Sequence, residues 1–311
     1  MAILPFGRKP RKTIENRELG DVLDGFSIEV MPRTAGKIDD FRALLPAGTR
    51  VYIAHIDGTS IEDMVATARR LAAEGFEVMP HIPARQIANG DELRDWVARY
   101  RGEANVTQAL VLGGGVTTPR GSFDSAIQLL ETGVFHDAGF SRLHVAGHPE
   151  GNRDIDPKGG TANVDAALHW KQEYARATGT DMAIVTQFAF DGASVSTWAR
   201  RLRVQGITLP IHLGVAGPAK LQTLIKFAIA CGVGPSLKVL QKRASDVTRL
   251  LLPFEPDELL AEVAHARDAD GAPLFEQIHL FPLGGIRASA DYAARIADEA
   301  DADQASSGRG M

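Results

Sequence analysis

The stretch RVYIAHIDGTSIEDMVATARRLAAEGFEVMPHI, residues 50–82, contains an apolar run, an amphipathic segment and a second apolar run in succession. The two runs, RVYIAHI and FEVMPHI, are short, apolar and bounded by turn residues, which favours strands. The segment between them predicts a helix, with Ser60 at its N-cap, Asp63 three residues later and Gly75 at its end. This succession of strand, helix and strand is typical of parallel β/α units.

The same alternation continues along the whole chain. Eight strands are predicted: FSIEV (26–30), RVYIAHI (50–56), FEVMPHI (76–82), QALVLGG (108–114), RLHVAGH (142–148), MAIVTQF (182–188), LPIHLGV (209–215) and QIHLFPLG (277–284). Eight strands with intervening helices in 311 residues predict an α/β fold of the (β/α)₈ TIM barrel type. An open doubly wound sheet is less consistent with the chain, because no early strand is followed by GxGxxG.

Helix signals between the strands complete the domain plan. DELRDWVARYRG predicts a helix capped by Asp91, and PAKLQTLIKFAIACG predicts one with Pro218 in its first turn and Gly232 at its end. SLKVLQKRASDVTRLL and PDELLAEVAHARD predict extra helices before the last strand. We therefore expect an N-terminal extension over residues 1–20, one barrel domain over 21–299 and a flexible C-terminal tail over 300–311.

Composition narrows the class of partner. A net charge of -5 provides no field that would gather a phosphate backbone or an anionic membrane, so we expect neither nucleic acid nor membrane as a partner. The single cysteine, Cys231, excludes an internal disulfide framework and suits a reducing compartment, and the N-terminus lacks the apolar core of a signal peptide. These features predict a cytoplasmic protein that acts on a small molecule, with self-association into a homo-oligomer left open.

Polar residues follow the ends of the predicted strands, where barrels of this kind carry their active sites. They are Glu29, His55, Asp57, His81, Gly113, Gly114, Gly115, His148, Glu150, Asn152, Gln187, Asp191, His212, Pro282, Gly284 and Gly285. The segment VAGHPEGN thus runs from the core into the predicted binding site. A histidine within an apolar strand is more often a hydrogen-bonded core residue, and we interpret His144, His169 and His279 in that way.

A metal centre is the alternative interpretation of these histidines. His55 and Asp57 share one face of a strand and could ligate a metal with a histidine from a neighbouring strand. Metal-dependent barrel enzymes usually place carboxylates at several strand ends, whereas here Glu29 and Glu150 are the obvious ones. We therefore predict no metal ligands.

Five segments together resemble a known family. FSIEVMPR, VMPHIPA, VAGHPEGN, IVTQFAFD and IHLFPLG, in this order within residues 26–298, resemble the methylenetetrahydrofolate reductases, which are (β/α)₈ flavoproteins of one-carbon metabolism. The resemblance implies reduction of 5,10-methylenetetrahydrofolate to 5-methyltetrahydrofolate, with FAD as cofactor and NAD(P)H as co-substrate. TQFAFD and HPEG are its most specific parts.

The resemblance also implies roles for individual residues. Glu29 would be the acid that protonates a folate nitrogen, for which we expect a raised pKa. Gln187, Phe188 and Phe281 would bind the substrate, with Phe188 stacking on a planar ring. The residues implied to bind the cofactor are His55, His81, Leu112, Gly113, Gly114, Gly115, His148, Glu150, Asn152, Asp165 and Lys171.

The chain departs from the family pattern at two strand ends. Leu112-Gly113-Gly114-Gly115 stands where family members have Leu-Arg-Gly-Asp, and FPLGG, residues 281–285, lacks a Tyr and an Asn of the family segment. Glycines leave space and exposed backbone N–H groups that could hold a cofactor. Other functions therefore stay open: a reverse or flavin-independent folate oxidoreduction, a non-catalytic folate- or flavin-binding subunit, and a metal-dependent lyase or hydrolase.

Overall fold

The protein folds as a closed barrel of eight parallel strands, in a computed structural model that describes residues 16–231, 239–241 and 253–307. Each strand pairs with the next one in the chain, and β8 closes the barrel on β1. The strands are β1 Ser27–Val30, β2 Arg50–Ile53, β3 Glu77–Pro83, β4 Gln108–Leu112, β5 Arg142–Gly147, β6 Asp181–Thr186, β7 Ile211–Ala216 and β8 Gln277–Phe281. Each predicted run overlaps one of these strands, so the predicted (β/α)₈ barrel is confirmed.

Helices cover the outside of the barrel. They are α1 Asn16–Leu23, α2 Pro32–Ala35, α3 Ile61–Ala73, α4 Gly90–Ala104, α5 Ala126–Glu131, α6 Val134–Asp137, α7 Ala162–Thr178, α8 Gly192–Val204, α9 Leu221–Ala230, α10 Asp257–Ala264 and α11 Ile286–Ser307, with short 3₁₀ helices at Phe41–Ala43 and Ala84–Gln86. The apolar faces of strands and helices form one large core, and both faces of the strands are buried, as in other parallel sheets.

Two predicted helix starts are corrected. Asn89, not Asp91, caps α4, because its side chain accepts hydrogen bonds from the backbone N–H groups of Asp91 and Glu92. Helix α9 starts at Leu221, so Pro218 precedes its first turn.

The ends of the chain differ from the predicted plan. Helix α11 continues to Ser307, so residues 300–307, predicted as tail, are helical. It packs against α1 so closely that a Cβ atom on Gly20 would lie 2.5 Å from the Cβ atom of Ala300. PDELLAEVAHARD forms α10 as predicted, whereas most of SLKVLQKRASDVTRLL and residues 1–15 lie outside the described residues. In the described part of the chain no helix is long and apolar enough to cross a membrane.

A network of polar side chains closes the N-terminal end of the barrel. Arg50, which is 9% exposed, lies at the start of β2. Its guanidinium donates hydrogen bonds to Gln108 at 3.1 Å, to Gln277 at 3.2 Å and to Glu77 at 2.7 Å. The buried charge is thus paired and hydrogen-bonded, as burial of an ion requires. Four strands, β2, β3, β4 and β8, are joined by this one side chain.

Candidate active site

Glu29 and His81 form the centre of the candidate site. Glu29 lies on β1 and His81 on β3, and alternation along each strand directs both side chains into the barrel. Nε2 of His81 is 3.3 Å from Oε2 of Glu29, and the Glu29 side chain is 19% exposed. The structure therefore brings together the predicted acid and one predicted cofactor-binding histidine.

The electrostatic state of Glu29 corrects the prediction of a raised pKa. Burial alone raises the pKa of this carboxyl, but the imidazoles of His279 and His81 outweigh burial and lower the pKa to about 2. The Glu29 side chain is therefore a carboxylate at neutral pH.

His279 was predicted to be a hydrogen-bonded core residue, and it is one, but it also faces Glu29. It lies on β8 and is 1% exposed, with Nε2 3.9 Å from Oε2 of Glu29 and Nδ1 3.0 Å from Oγ of Ser27. Ser27 and Glu29 alternate on β1 and share a face, as do His279 and Phe281 on β8. That alternation was the signal in the sequence that links His279 to the site.

Deeper in the barrel than Glu29 and His81, the lumen contains further hydrogen-bonded aromatic residues. The hydroxyl of Tyr52 lies 2.6 Å from Nδ1 of His144, and the ring of Tyr52 lies 4.4 Å from that of His279. His144 packs edge-on against His212 with ring centroids 4.7 Å apart. Burial lowers the pKa of His144 and lowers the pKa of His212 to about 3, so both imidazoles are neutral at pH 7. The core interpretation of His144 is consistent with these contacts.

The predicted substrate-binding residues separate into a buried and an accessible group. Phe188 is 2% exposed and packs edge-on against Phe281 at 5.5 Å and Phe190 at 5.7 Å, so it presents no open face for stacking. Phe281 is half-buried, and its ring lies 4.8 Å from that of His279. Gln187 is also half-buried and accepts a hydrogen bond from the backbone N–H of Phe188. Phe281 and Gln187 are thus the accessible members of this set.

The segment after β5 forms a second part of the rim. His148 follows the strand directly, Glu150 lies in the next turn, and both are half-buried. Asn152 approaches His148, with Nδ2 3.5 Å from Nδ1, and accepts hydrogen bonds from the backbone N–H groups of Asp154 and Ile155. Burial, with a smaller effect of Lys171, lowers the pKa of His148 to about 4. Asn152 therefore shapes the turn that positions His148.

Lys171 is a buried cation beside His148. It lies on the barrel-facing side of α7 and is 7% exposed, and among the described residues no carboxylate pairs with its ammonium group. Burial lowers its pKa to about 8. A buried ammonium without a counter-ion is costly, which makes this position suited to an anionic group of a ligand.

Asp165 on α7 is held by the neighbouring helix α8. Its carboxylate forms a bidentate ion pair with Arg201 on α8 and accepts a further hydrogen bond from Thr161 at 2.9 Å. Burial raises the pKa of Asp165, but the hydrogen bonds from Arg201, Thr161 and Gln205 together with the charge of Arg201 outweigh burial, and the net shift is downward. The carboxylate thus fixes α7 to α8, and its role in cofactor binding stays a prediction.

The glycine triplet after β4 folds onto the loop after β3. Gly113 accepts a hydrogen bond from the backbone N–H of Arg85, and a Cβ atom on Gly114 would lie 3.0 Å from Cβ of Pro83. Gly114 has φ of +95°, which only glycine adopts readily. Gly115 is exposed, with no atom within 4 Å of a Cβ position, and Leu112 is half-buried at the strand end. The close approach of two loops requires Gly114, and Gly115 leaves open space at the rim.

A cavity of about 560 Å³ lies beside the triplet, between the loops after β2, β3 and β4. His55 lines it, 6% exposed and stacked on Trp96 at 4.8 Å. Nε2 of His55 lies 3.0 Å from the carbonyl oxygen of Thr59, whereas Nδ1 has no hydrogen-bond partner among the described residues. Burial lowers the pKa of His55. With Nε2–H donating to Thr59, the neutral His55 ring has a buried, unprotonated Nδ1.

The fold and site define a class: a (β/α)₈ barrel whose C-terminal rim carries a carboxylate facing two imidazoles. Within the described ranges, no group of three His, Cys, Asp or Glu side chains is placed to hold a metal ion. No protein-family model matches the chain. Among solved structures, a mannohexaose complex of a β-mannanase from Thermomonospora fusca is similar, with 13% identity, a TM-score of 0.39 and coverage of 61% of this chain and 68% of that one.

Proposed function

We propose that this protein is a flavin-dependent reductase of one-carbon metabolism that reduces 5,10-methylenetetrahydrofolate to 5-methyltetrahydrofolate with NAD(P)H. The observation that carries the proposal is the contact between Glu29 and His81 at 3.3 Å, at the ends of β1 and β3. The five sequence segments that resemble methylenetetrahydrofolate reductases support it, because each contributes to a strand or strand end of this barrel. We propose a cytoplasmic location for the same enzyme.

The reaction requires a proton before it requires a hydride. The methylene carbon is bonded to two nitrogens, and protonation of one of them lets that nitrogen leave with the electron pair of its C–N bond. The lone pair of the other nitrogen then forms an iminium, which accepts hydride. Because the pKa of Glu29 is lowered to about 2, the carboxylate cannot store this proton at neutral pH. In our proposal the Glu29–His81 pair supplies it as a unit.

Substrate contacts follow from the accessible residues. The ring of Phe281 borders His279 and offers an aromatic edge to a planar pterin. Gln187 keeps its carboxamide nitrogen free of hydrogen bonds to the described residues, so it can donate to a polar edge of the ligand. Glu29, Gln187 and Phe281 would therefore position the folate.

The residues around Lys171 fit an anionic dinucleotide. Its ammonium is buried and has no counter-ion among the described residues, and a diphosphate would supply one. His81, His148 and Gly115 border the same rim and would contact the rest of the cofactor. A flavin, when bound, supplies hydride to the iminium carbon after reduction by NAD(P)H. Asp165 does not fit this role, because Arg201 already holds its carboxylate.

The test is an absorbance spectrum from about 300 to 550 nm, before and after anaerobic addition of FAD, then NADH, then methylenetetrahydrofolate. We expect flavin bands that NADH bleaches and the folate restores. Glu29→Gln should reduce kcat by about 100-fold or more, since the charged partner of His81 is lost. Glu131→Gln is the matched control, because Glu131 is an exposed carboxylate at the end of helix α5. Flavin binding without folate-dependent reoxidation would contradict the proposal.

A flavin-independent reductase is the second candidate. The engagement of Asp165 by Arg201 and the packing of Gly114 against Pro83 favour it, because both remove contacts that a flavin dinucleotide would use. It predicts a colourless protein that oxidises NAD(P)H only with methylenetetrahydrofolate present. Ligand binding without turnover in either assay would instead identify a non-catalytic binding subunit.

A further inference from the structure

His279 is separated from any ligand by its own surroundings. It is 1% exposed, and its ring is flanked by Tyr52 at 4.4 Å and by Phe281 at 4.8 Å. Its two nitrogens nevertheless face β1, where Nδ1 meets Ser27 at 3.0 Å and Nε2 lies 3.9 Å from Glu29. A residue so placed acts on chemistry only through Glu29.

Ser27 on β1 provides a second polar contact for His279, besides Glu29. Ser27 is fully buried, and its hydroxyl lies within 3.0 Å of Nδ1 of His279. When this hydroxyl donates to Nδ1, the neutral ring carries its proton on Nε2, which is the nitrogen directed at Glu29. Glu29 then has an N–H group on the β8 side and His81 on the β3 side.

We propose that His279, held by Ser27, is a positioning residue that keeps Glu29 ionised and directed at His81. The inference rests on the proposed function for its catalytic meaning. It adds a second imidazole, on β8, to the pair that supplies the proton. In this scheme the proton given to the substrate nitrogen passes from the His81 side through the Glu29 carboxylate and is replaced from solvent, so neither Glu29 nor His279 changes its net charge over a cycle.

Other groups face the same space and must be considered. The titratable or charged side chains that face Glu29 or His279 are Arg50 and Tyr52 from β2, His81 from β3, His144 from β5, His212 from β7 and Cys231 after α9. Of these side chains, His81 has an ion-pair contact with the Glu29 carboxylate within 4 Å. His279 makes the other such contact. The ionisation of Glu29 therefore depends chiefly on these two rings.

The first experiment needs neither ligand nor activity. The δ-carboxyl of Glu29 is followed by ¹³C NMR against pH in the ligand-free protein, with the resonance assigned from Glu29→Gln. In the wild type we expect it to stay at its ionised position down to about pH 4. His279→Leu should raise the midpoint by at least about one pH unit, because one of two favourable partners is lost. His279→Gln, whose amide can donate in place of Nε2, should restore most of the shift.

A matched control separates this effect from a general disturbance of the lumen. His144 is equally buried, contacts Tyr52 and His212, and does not contact Glu29. His144→Leu should therefore leave the Glu29 midpoint unchanged. Ser27→Ala removes the hydroxyl that contacts His279. This variant should move the Glu29 midpoint in the same direction as His279→Leu. An unchanged midpoint in both His279→Leu and Ser27→Ala, or an equal shift in His144→Leu, would overturn the inference.

Turnover measurements then test the catalytic meaning. With methylenetetrahydrofolate as substrate, the pH profile of kcat should shift in His279→Leu in step with the carboxyl midpoint, and KM should change little. A shift in the NMR midpoint without any reductase activity in the wild type contradicts the proposed function but leaves the Glu29–His279 relationship intact. A wild-type kcat profile retained in His279→Leu, despite an altered midpoint, overturns the positioning role.

Discussion

Arg201 on α8 holds Asp165 on α7 through two guanidinium nitrogens. The pair connects consecutive helices on the outside of the barrel, and Thr161 at the start of α7 joins it. A carboxylate that satisfies an arginine and a hydroxyl has little capacity left for a ligand. Its partners within the protein therefore argue against a further role of Asp165 in ligand binding.

Removal of this ion pair should affect stability and not ligand affinity. We expect Asp165→Ala and Arg201→Ala to lower Tm by similar amounts, with a coupling of about 1 kcal/mol in the double mutant. Calorimetry of the four proteins measures the coupling, and titration with FAD measures affinity. A loss of FAD affinity in Asp165→Ala that Arg201→Ala does not reproduce would return Asp165 to the ligand site.

Lys171→Met should stabilise the protein and weaken the binding of anions. The pKa of Lys171 is lowered to about 8 from 10.5, so the unfolded chain binds more protons between these values and stability rises with pH across that window. The variant lacks this group. Its Tm should therefore be higher at pH 7, and its Tm should change less with pH between about pH 8 and 10. Lys37→Met, at an exposed lysine, is the control. A lower Tm in Lys171→Met would show that the ammonium is paired.

Because His212 is buried as a neutral imidazole, we expect the protein to lose stability in acid. Burial lowers the pKa of His212 from 6.5 to about 3, and Nδ1 has no hydrogen-bond partner among the described residues. Because the unfolded chain binds the extra proton, stability rises with pH through this window and is lost as pH falls, by up to about 1.4 kcal/mol per pH unit. His212→Leu should flatten the dependence of Tm on pH between about pH 4 and 6.5, and exposed His136→Gln should not. Equal slopes in all three proteins would contradict this assignment.

Gly214 on β7 packs directly against the end of β6, beside Gln187. A Cβ atom there would lie 2.4 Å from the carbonyl oxygen of Thr186 and 2.8 Å from Gln187, so Gly214→Ala must displace the end of β6. We expect a loss of about 2 kcal/mol or more and weaker folate binding, because Gln187 moves. Gly102→Ala, on an exposed face of α4, should stabilise by about 0.5–1 kcal/mol. Denaturant unfolding of both variants gives the comparison.

The order of strands was predictable because local patterns determine it. Short β-branched runs such as that of β2 alternate with capped amphipathic segments such as α3, and this pattern requires no knowledge of distant contacts. The position of Glu29 at the rim was predictable for the same reason. Helix starts depended on the choice between neighbouring polar residues, and for α4 the side chain that reaches the first N–H groups belongs to Asn89, not Asp91.

The state of the site depends on contacts between distant parts of the chain. His279 lies 252 positions after Ser27, and its proximity to Glu29 results from the closure of β8 onto β1. The resemblance could suggest Glu29 as an acid, but the sequence could not reveal that two imidazoles reverse the direction of its pKa shift. In the same way, Lys171 could be named, whereas the lack of a counter-ion among the described residues could be seen only in the folded protein.

The hydrogen bonds of Arg50 to Gln108, Gln277 and Glu77 affect from which end of the barrel a ligand can approach. They close the N-terminal end of the barrel around one paired guanidinium, so the C-terminal rim is the open end near Glu29 and His81. Under the proposed function, substrate and proton would both approach Glu29 from that rim, so we expect the proton to be delivered before the substrate binds.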